Sequence, residues 1–288
     1  MLLKKISYIG VLFNKSGMIF FPNAKINIGL FITSRRRDGY HNLESVFHPI
    51  GLSDILEIKE RTYREPIFTT TGIPLDTEYE NNLCYKAYKL VSRHFNIPPV
   101  SFHLHKIIPP GSGLGGGSSD AAFTLKALKS LFKLDAGRDE LMEMAMQLGS
   151  DCPFFIENSP AYVWEKGNQM ENFDPQLKGQ YLAVVVPQVH ISTRHAYQGI
   201  NPRQRPFPLK ELIEKTPFDQ WTDYITNDFE TPVFKAKPQL EGIKHSLYEE
   251  GAWFASLSGS GSAVYGLFSH PSNLKDGFGN SFVWEGKL

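Results

Sequence analysis

Five glycines fall within seven residues, Gly111-Ser-Gly-Leu-Gly-Gly-Gly117, between a stretch that alternates like a strand and one that repeats like a helix. The strand side is Val100–His105. On the helix side Ala121, Ala122, Leu125, Leu128 and Phe132 recur at helical spacing after Ser118. Such a passage requires mixed α and β structure. Glycines let a backbone approach a ligand, and a helix start offers unpaired N–H groups at the positive end of its dipole. Ser118 and Ser119 add hydroxyls there, so the loop suits the phosphates of a nucleotide. The same residues admit other readings. Gly111-x-Gly113-x-x-Gly116 has the spacing of a dinucleotide fingerprint, although no strand ending in an acid follows at the expected distance. Without Gly-Lys-Ser/Thr the loop is not a Walker A loop. A flexible turn is the plain alternative, but it needs fewer glycines.

Upstream, Ala24, Ile26, Ile28, Leu30 and Ile32 alternate as in a half-buried strand, so Lys25, Asn27 and Gly29 share its opposite face. A turn at Arg37-Asp-Gly39 returns the chain as a strand over 44–50, and 54–60 alternates again. Asn81-Asn82 caps a helix carrying Leu83, Ala87, Leu90 and Val91, and a helix near 139–148 ends at Gly149. Later strands are expected at 161–164, 181–186, 253–257 and 263–268. Helices are expected near 209–215 and 238–250, after a proline-rich connection at 202–208. The change in character places a domain boundary between 18–156 and 157–288.

Balanced charge, 30 Lys and Arg against 30 Asp and Glu, argues against binding a polyanion or an acidic membrane by bulk charge, yet leaves room for a local phosphate site. Cys84 and Cys152 cannot build a disulfide framework, and a reducing cytoplasm is the simpler setting. Residues 1–17 have two lysines before a short apolar run, but no small-residue cleavage site and too few apolar residues to span a bilayer. They are expected to be a disordered or mis-started extension.

Single residues carry two readings each. Lys25 reads as a solvated strand face, against which Gly29 signals a close approach. Asp151, two residues before Pro153, reads as a helix cap or as a carboxylate that deprotonates a hydroxyl beside a phosphate loop. Tyr40-His41 reads as hairpin packing or as a ring and an imidazole that recognise a base. Arg35-Arg36-Arg37 reads as a solvated turn or, more weakly, as a phosphate contact. His103 and His105 share a strand face without a third ligand, so no metal site is expected. Ser258-Gly-Ser-Gly-Ser262 reads as a structural turn unless it faces the first glycine loop.

Taken in order, Phe21-Pro-Asn-Ala-Lys-Ile-Asn-Ile-Gly-Leu30, Pro109–Asp120 and Leu257-Ser-Gly-Ser-Gly-Ser-Ala263 resemble the three motifs of the GHMP kinase superfamily. Arg37-Asp-Gly-Tyr-His41, Leu148-Gly-Ser-Asp-Cys-Pro153 and Asn227-Asp-Phe-Glu230 favour its branch acting on a diphosphocytidyl-linked methylerythritol of the non-mevalonate isoprenoid pathway. The resemblance implies a two-domain α+β GHMP kinase fold, with a ribosomal-protein-like N-terminal domain and a ferredoxin-like C-terminal one. It implies a cytoplasmic, ATP-dependent kinase of a substrate alcohol, using Mg2+ with the nucleotide, as a monomer or weak homodimer without nucleic-acid or membrane partners. By motif position Asp151 is the catalytic acid/base and Lys25 its charged partner. Asn82 and Lys106 lie near the adenine, while Pro109, Pro110, Gly111, Ser112, Gly113, Leu114, Gly115, Gly116, Gly117, Ser118 and Ser119 bind the ATP phosphates. For the cytidyl substrate the resemblance implies Tyr40 stacking on cytosine, His41 reading its edge, Asn27 near the reacting hydroxyl, Thr193 in contact, and Tyr197 as a second aromatic.

Overall fold

The computed structural model describes residues 12–14, 17–63, 65–274 and 277–288. The expected extension at 1–17 lies mostly outside the described residues; within it Leu12–Asn14 pairs antiparallel with Gly17–Ile19. The chain runs through β1 (Leu12–Asn14), β2 (Gly17–Phe20), β3 (Asn23–Arg35), β4 (His41–Ser53), β5 (Ile55–Glu60) and β6 (Ile67–Gly72). Next come α1 (Leu83–Phe95), β7 (Val100–Lys106), α2 (Gly116–Phe132), α3 (Arg138–Leu148) and α4 (Cys152–Glu157). Strands β8 (Ala161–Glu165), β9 (Gln169–Asn172) and β10 (Tyr181–Val186) precede helices α5 (Thr193–Gln198), α6 (Leu209–Lys215), α7 (Trp221–Tyr224), α8 (Glu230–Ala236) and α9 (Pro238–Glu249). The chain closes with β11 (Phe254–Leu257), β12 (Val264–Phe268) and β13 (Phe282–Lys287).

The fold divides into two compact units that interleave along the chain. One gathers 1–23, 53–110 and 116–157; the other gathers 24–52, 111–115 and 158–288. One of the changes falls at Glu157–Asn158, and two others bracket the middle of the glycine loop.

In the first unit, a sheet of order β1-β2-β5-β7-β6 is antiparallel except for β6 on β7. Alternation aims Leu56, Ile58, Phe102 and Leu104 at α1 and α2, whose Ala87, Val91, Ala121 and Leu125 are also buried. Phe20 meets Phe123 edge-on at 6.5 Å and Tyr88 meets Phe102 at 5.7 Å. In the second unit, two sheets have the orders β3-β4-β8-β9 and β11-β12-β10-β13. Its core joins Leu30 and Ile32 of β3 with Val185, Leu257, Val264 and the inner faces of α8 and α9. Each fully buried side chain of this size contributes about 1.5–3 kcal/mol. Mostly antiparallel pairing, with helices packed on one side, makes the fold α+β. Among the described residues no helix is long and apolar enough to cross a membrane.

Candidate active site

Strand alternation puts Lys25 and Asn27 together on the face opposite Ile26 and Ile28, and each is only 2% exposed. β3 is therefore buried on both faces, where a half-buried strand was expected. Its polar face is covered by the glycine-loop segment: the Lys25 N–H donates to the Leu114 carbonyl at 2.9 Å, and Lys25 Nζ donates to the Gly113 carbonyl at 3.0 Å. Lys25 Nζ also donates to Asn27 Oδ1 and lies 4.7 Å from the centre of the Phe47 ring. Gly29 is needed because its φ is +65° and an added Cβ would approach Leu209 to 2.7 Å. Side chains of its own unit, rather than a ligand, make that close approach.

The second glycine–serine loop does face the first. Ser258 Oγ donates to the Gly113 carbonyl at 3.0 Å, and the Ala263 N–H donates to the Ser112 carbonyl at 2.9 Å. Gly113 has φ +82°, and a Cβ there would land on the Ser258 carbonyl. Asn227 anchors the arrangement, its amide donating to the carbonyls of Leu257 and Gly259 at 2.8 Å each while its Oδ1 accepts the Phe229 N–H. Beside it Asp228 accepts from the Ile32 N–H and from Arg205, and Glu230 accepts from Ser256 and the Leu257 N–H. Sequence reading quoted this Asn-Asp-Phe-Glu run without giving its side chains a task; each one ties down a neighbouring strand or loop.

Among the base-recognition candidates, Tyr40 is 65% exposed, with the Lys166 ammonium 5.5 Å from its ring centre. His41, rather than Tyr40, stacks on Tyr197, with centroids 5.0 Å apart and planes at 20°. Phe229 meets Tyr197 edge-on at 4.8 Å. Burial, and then the nearby Arg35 charge, hold the His41 imidazole below its usual pKa, so it is neutral at pH 7. Thr193 opens α5, with Oγ1 3.2 Å from Ser260 Oγ.

In the other unit, Asn82 is the N-cap of α1, its Oδ1 accepting the Cys84 N–H at 2.9 Å. The Lys106 side chain is buried and its ammonium donates to two carboxylates, Asp54 and Asp120, the latter at 2.9 Å. Asp54 also accepts the N–H groups of Ile107 at 2.6 Å and Ile108 at 2.8 Å. This triad fixes the end of β7 and the first turn of α2, the two stems of the glycine loop, and Gly116 leaves room for the Lys106 ammonium. Burial, with the neighbouring Asp54 charge, pushes Asp120 up to about 7 against the pull of Lys106. Burial alone would lower Lys106, but the two carboxylates hold it above its usual value.

Asp151 directly precedes α4, the position of a cap. Lys126 of α2 donates to the carbonyls of Phe155 and Ile156 at the far end of that short helix. Burial pushes the Cys152 thiol up to about 12, against a hydrogen bond with Ser118, so it is no nucleophile.

The loop fits a polyphosphate. Gly111, Gly113 and Gly115 all have positive φ, and α2 begins at Gly116. The Ser119 hydroxyl is buried and meets no hydrogen-bond partner among the described residues, an arrangement that otherwise costs about 1–3 kcal/mol.

Comparison with known proteins identifies the family. The family "GHMP kinases N terminal domain" matches residues 82–158 and "GHMP kinases C terminal" matches 209–281. The chain is 48% identical over 275 residues to the 4-diphosphocytidyl-2-C-methyl-D-erythritol kinase of Parabacteroides distasonis, covering 94% of this chain and 100% of that protein. It is 45% identical to the protein of the same name in Bacteroides thetaiotaomicron, with the same coverage. A crystal structure of 4-(cytidine 5'-diphospho)-2C-methyl-D-erythritol kinase superposes with a TM-score of 0.78 at 28% identity, over 94% of this chain and all of that one. The chain belongs to the GHMP kinases, within their 4-diphosphocytidyl-2-C-methyl-D-erythritol kinase family.

Proposed function

We propose that this protein transfers the γ-phosphoryl group of ATP to the 2-hydroxyl of 4-diphosphocytidyl-2-C-methyl-D-erythritol, a step in the non-mevalonate route to isoprenoid precursors. The observation that carries the chemistry is the seat of Lys25, a buried cation held by Asn27 and by the carbonyl of Gly113 in the glycine loop. A buried, fixed positive charge is worth far more to a developing negative charge than the same charge in water.

In this reading Asp151 accepts the proton of the 2-hydroxyl as its oxygen attacks the γ-phosphorus. The bond to the bridging oxygen then breaks and ADP leaves with the electron pair. Lys25 stabilises the charge developing in transfer, and Asn27 orients the hydroxyl. The N–H groups from Gly111 to Gly117 and the start of α2, with Ser118 and Ser119, hold the triphosphate; Pro109 and Pro110 lead into that loop, and Asn82 and the Lys106 strand end border the adenine. Mg2+ arriving with the nucleotide neutralises phosphate charge. Tyr40 and Tyr197 supply aromatic faces to the cytosine, the neutral His41 reads its edge with one donor and one acceptor, and Thr193 contacts the substrate.

A substrate panel tests the assignment. Turnover of the cytidyl substrate, with none of mevalonate or homoserine, is expected; turnover of mevalonate without the cytidyl compound would refute it.

A further inference from the structure

Ser45 lies on β4, wholly buried, and its hydroxyl sits between two groups of β3. It donates to the Gly29 carbonyl at 2.7 Å and accepts from Asn27 Nδ2 at 2.9 Å. Those roles are fixed by chemistry. A carbonyl only accepts, so the single hydroxyl hydrogen goes to Gly29 and the oxygen must receive an N–H from Asn27. The Asn27 amide is thereby oriented with Oδ1 away from Ser45 and toward Lys25, whose ammonium only donates. Turned over, the amide would set N–H against ammonium on one side and carbonyl against a committed hydroxyl on the other. Tyr265 steadies the same residue from the backbone side, its hydroxyl donating to the Asn27 carbonyl at 2.8 Å.

We infer that Ser45 is a positioning residue for phosphoryl transfer, which locks the amide of Asn27 and through it the placement of the Lys25 ammonium. The inference rests on the proposed roles of Asn27 and Lys25. Without the hydroxyl, Asn27 Nδ2 and the Gly29 carbonyl lose this partner in a buried place, and one of the two contacts that fix the amide's orientation is gone. The ammonium then loses one of the acceptors that hold it. The ammonium keeps its contact with the Gly113 carbonyl of the glycine loop, so nucleotide binding is little changed and the effect falls on turnover.

The test is a double-mutant cycle on kcat, with ATP and the cytidyl substrate both saturating. Ser45→Ala is expected to lower kcat about tenfold, with the KM for ATP within about twofold of the parent. Ser45→Cys, similar in size with a weaker donor and acceptor, falls between the two. In an Asn27→Ala background, adding Ser45→Ala changes kcat by less than about twofold, because the group it orients is gone. An equal drop in both backgrounds would overturn the inference while leaving Asn27 in the site. An Asn27→Ala variant with parental kcat would instead remove Asn27 from the chemistry, and the inference with it. Should Ser45→Ala not fold, Ser45→Cys carries the cycle, and a parental kcat in that variant counts against the role.

Discussion

The Lys25 ammonium donates to the carbonyl of Gly113 at 3.0 Å, so one buried cation ties the polar face of β3 to the glycine loop. Lys25→Met keeps an unbranched side chain of similar length and deletes the charge that lies over Phe47. The variant is expected to fold, with kcat lower by about 100-fold or more. Steady-state kinetics beside a thermal melt check this; parental kcat in a folded variant would remove Lys25 from the chemistry.

Gly113→Ala tests the contact between the two glycine–serine loops. The new methyl would land on the Ser258 carbonyl, on a backbone with φ of +82°. Stability is expected to fall by about 1–3 kcal/mol and the KM for ATP to rise. Gly242→Ala in α9, where an added methyl meets nothing within 4 Å, is expected to match or slightly exceed the parent in stability. Denaturant melts and ATP titrations of both variants separate a specific clash from a general dislike of substitution.

Asp120 makes stability depend on pH. Its folded pKa is raised from 3.8 to about 7 by burial first and by Asp54 second, against Lys106. Between about pH 4 and pH 7 the folded chain holds a proton that the unfolded chain has released, so this group's contribution falls as pH rises through that window and is level above it. Asp120→Asn keeps an acceptor for Lys106 and cannot ionise. Its melting temperature is expected to gain on the parent as pH rises from 5 to 7. Parallel melting curves across that range would contradict the shift.

In its proposed role of reading the cytosine edge, His41 carries a pH signature of its own. The imidazole is held below its usual 6.5 by burial and by Arg35, so it is neutral over the working range and gains its proton only in acid. The KM for the cytidyl substrate is expected to be level above pH 6.5 and to rise below it, without a matching rise in the KM for ATP. His41→Phe preserves a ring against Tyr197. It should show a higher KM at every pH and no acid inflection.

What sequence could reveal followed from local chemistry. The alternation of β3, the strand–glycine–helix passage and the capped start of α1 are each written in neighbouring residues, and each is where it was expected. Strands β6 and β13 escaped because Ile-Phe-Thr-Thr-Thr-Gly and Phe-Val-Trp-Glu-Gly-Lys lack a clear alternation of apolar and polar residues. Helix α4 is six residues with proline second, too short for a periodicity to register. Polar partnerships were hidden for another reason. A serine in a strand reads as surface until Asn27, 18 residues earlier, is folded against it. The carboxylate that pairs with Lys106 is Asp54, 52 residues before it, and nothing in the local sequence links the two.

Asp151 carries the largest chemical claim on the smallest local signal, a carboxylate one residue before a short helix. Asp151→Asn preserves size and hydrogen-bonding capacity while removing the base. Turnover is expected to fall by about 100-fold or more, with ATP affinity within a few-fold of the parent by calorimetry. Activity near the parental level would exclude Asp151 as the proton acceptor.

Phosphorus NMR of the reaction itself is the most direct measurement. Incubated with ATP, Mg2+ and 4-diphosphocytidyl-2-C-methyl-D-erythritol, the protein is expected to yield one new phosphomonoester resonance, coupled to the carbon framework at the 2-position, in step with ADP. ATP consumed without that resonance, or a phosphate appearing on another hydroxyl, would contradict the assignment of this chain as the kinase of the 2-hydroxyl.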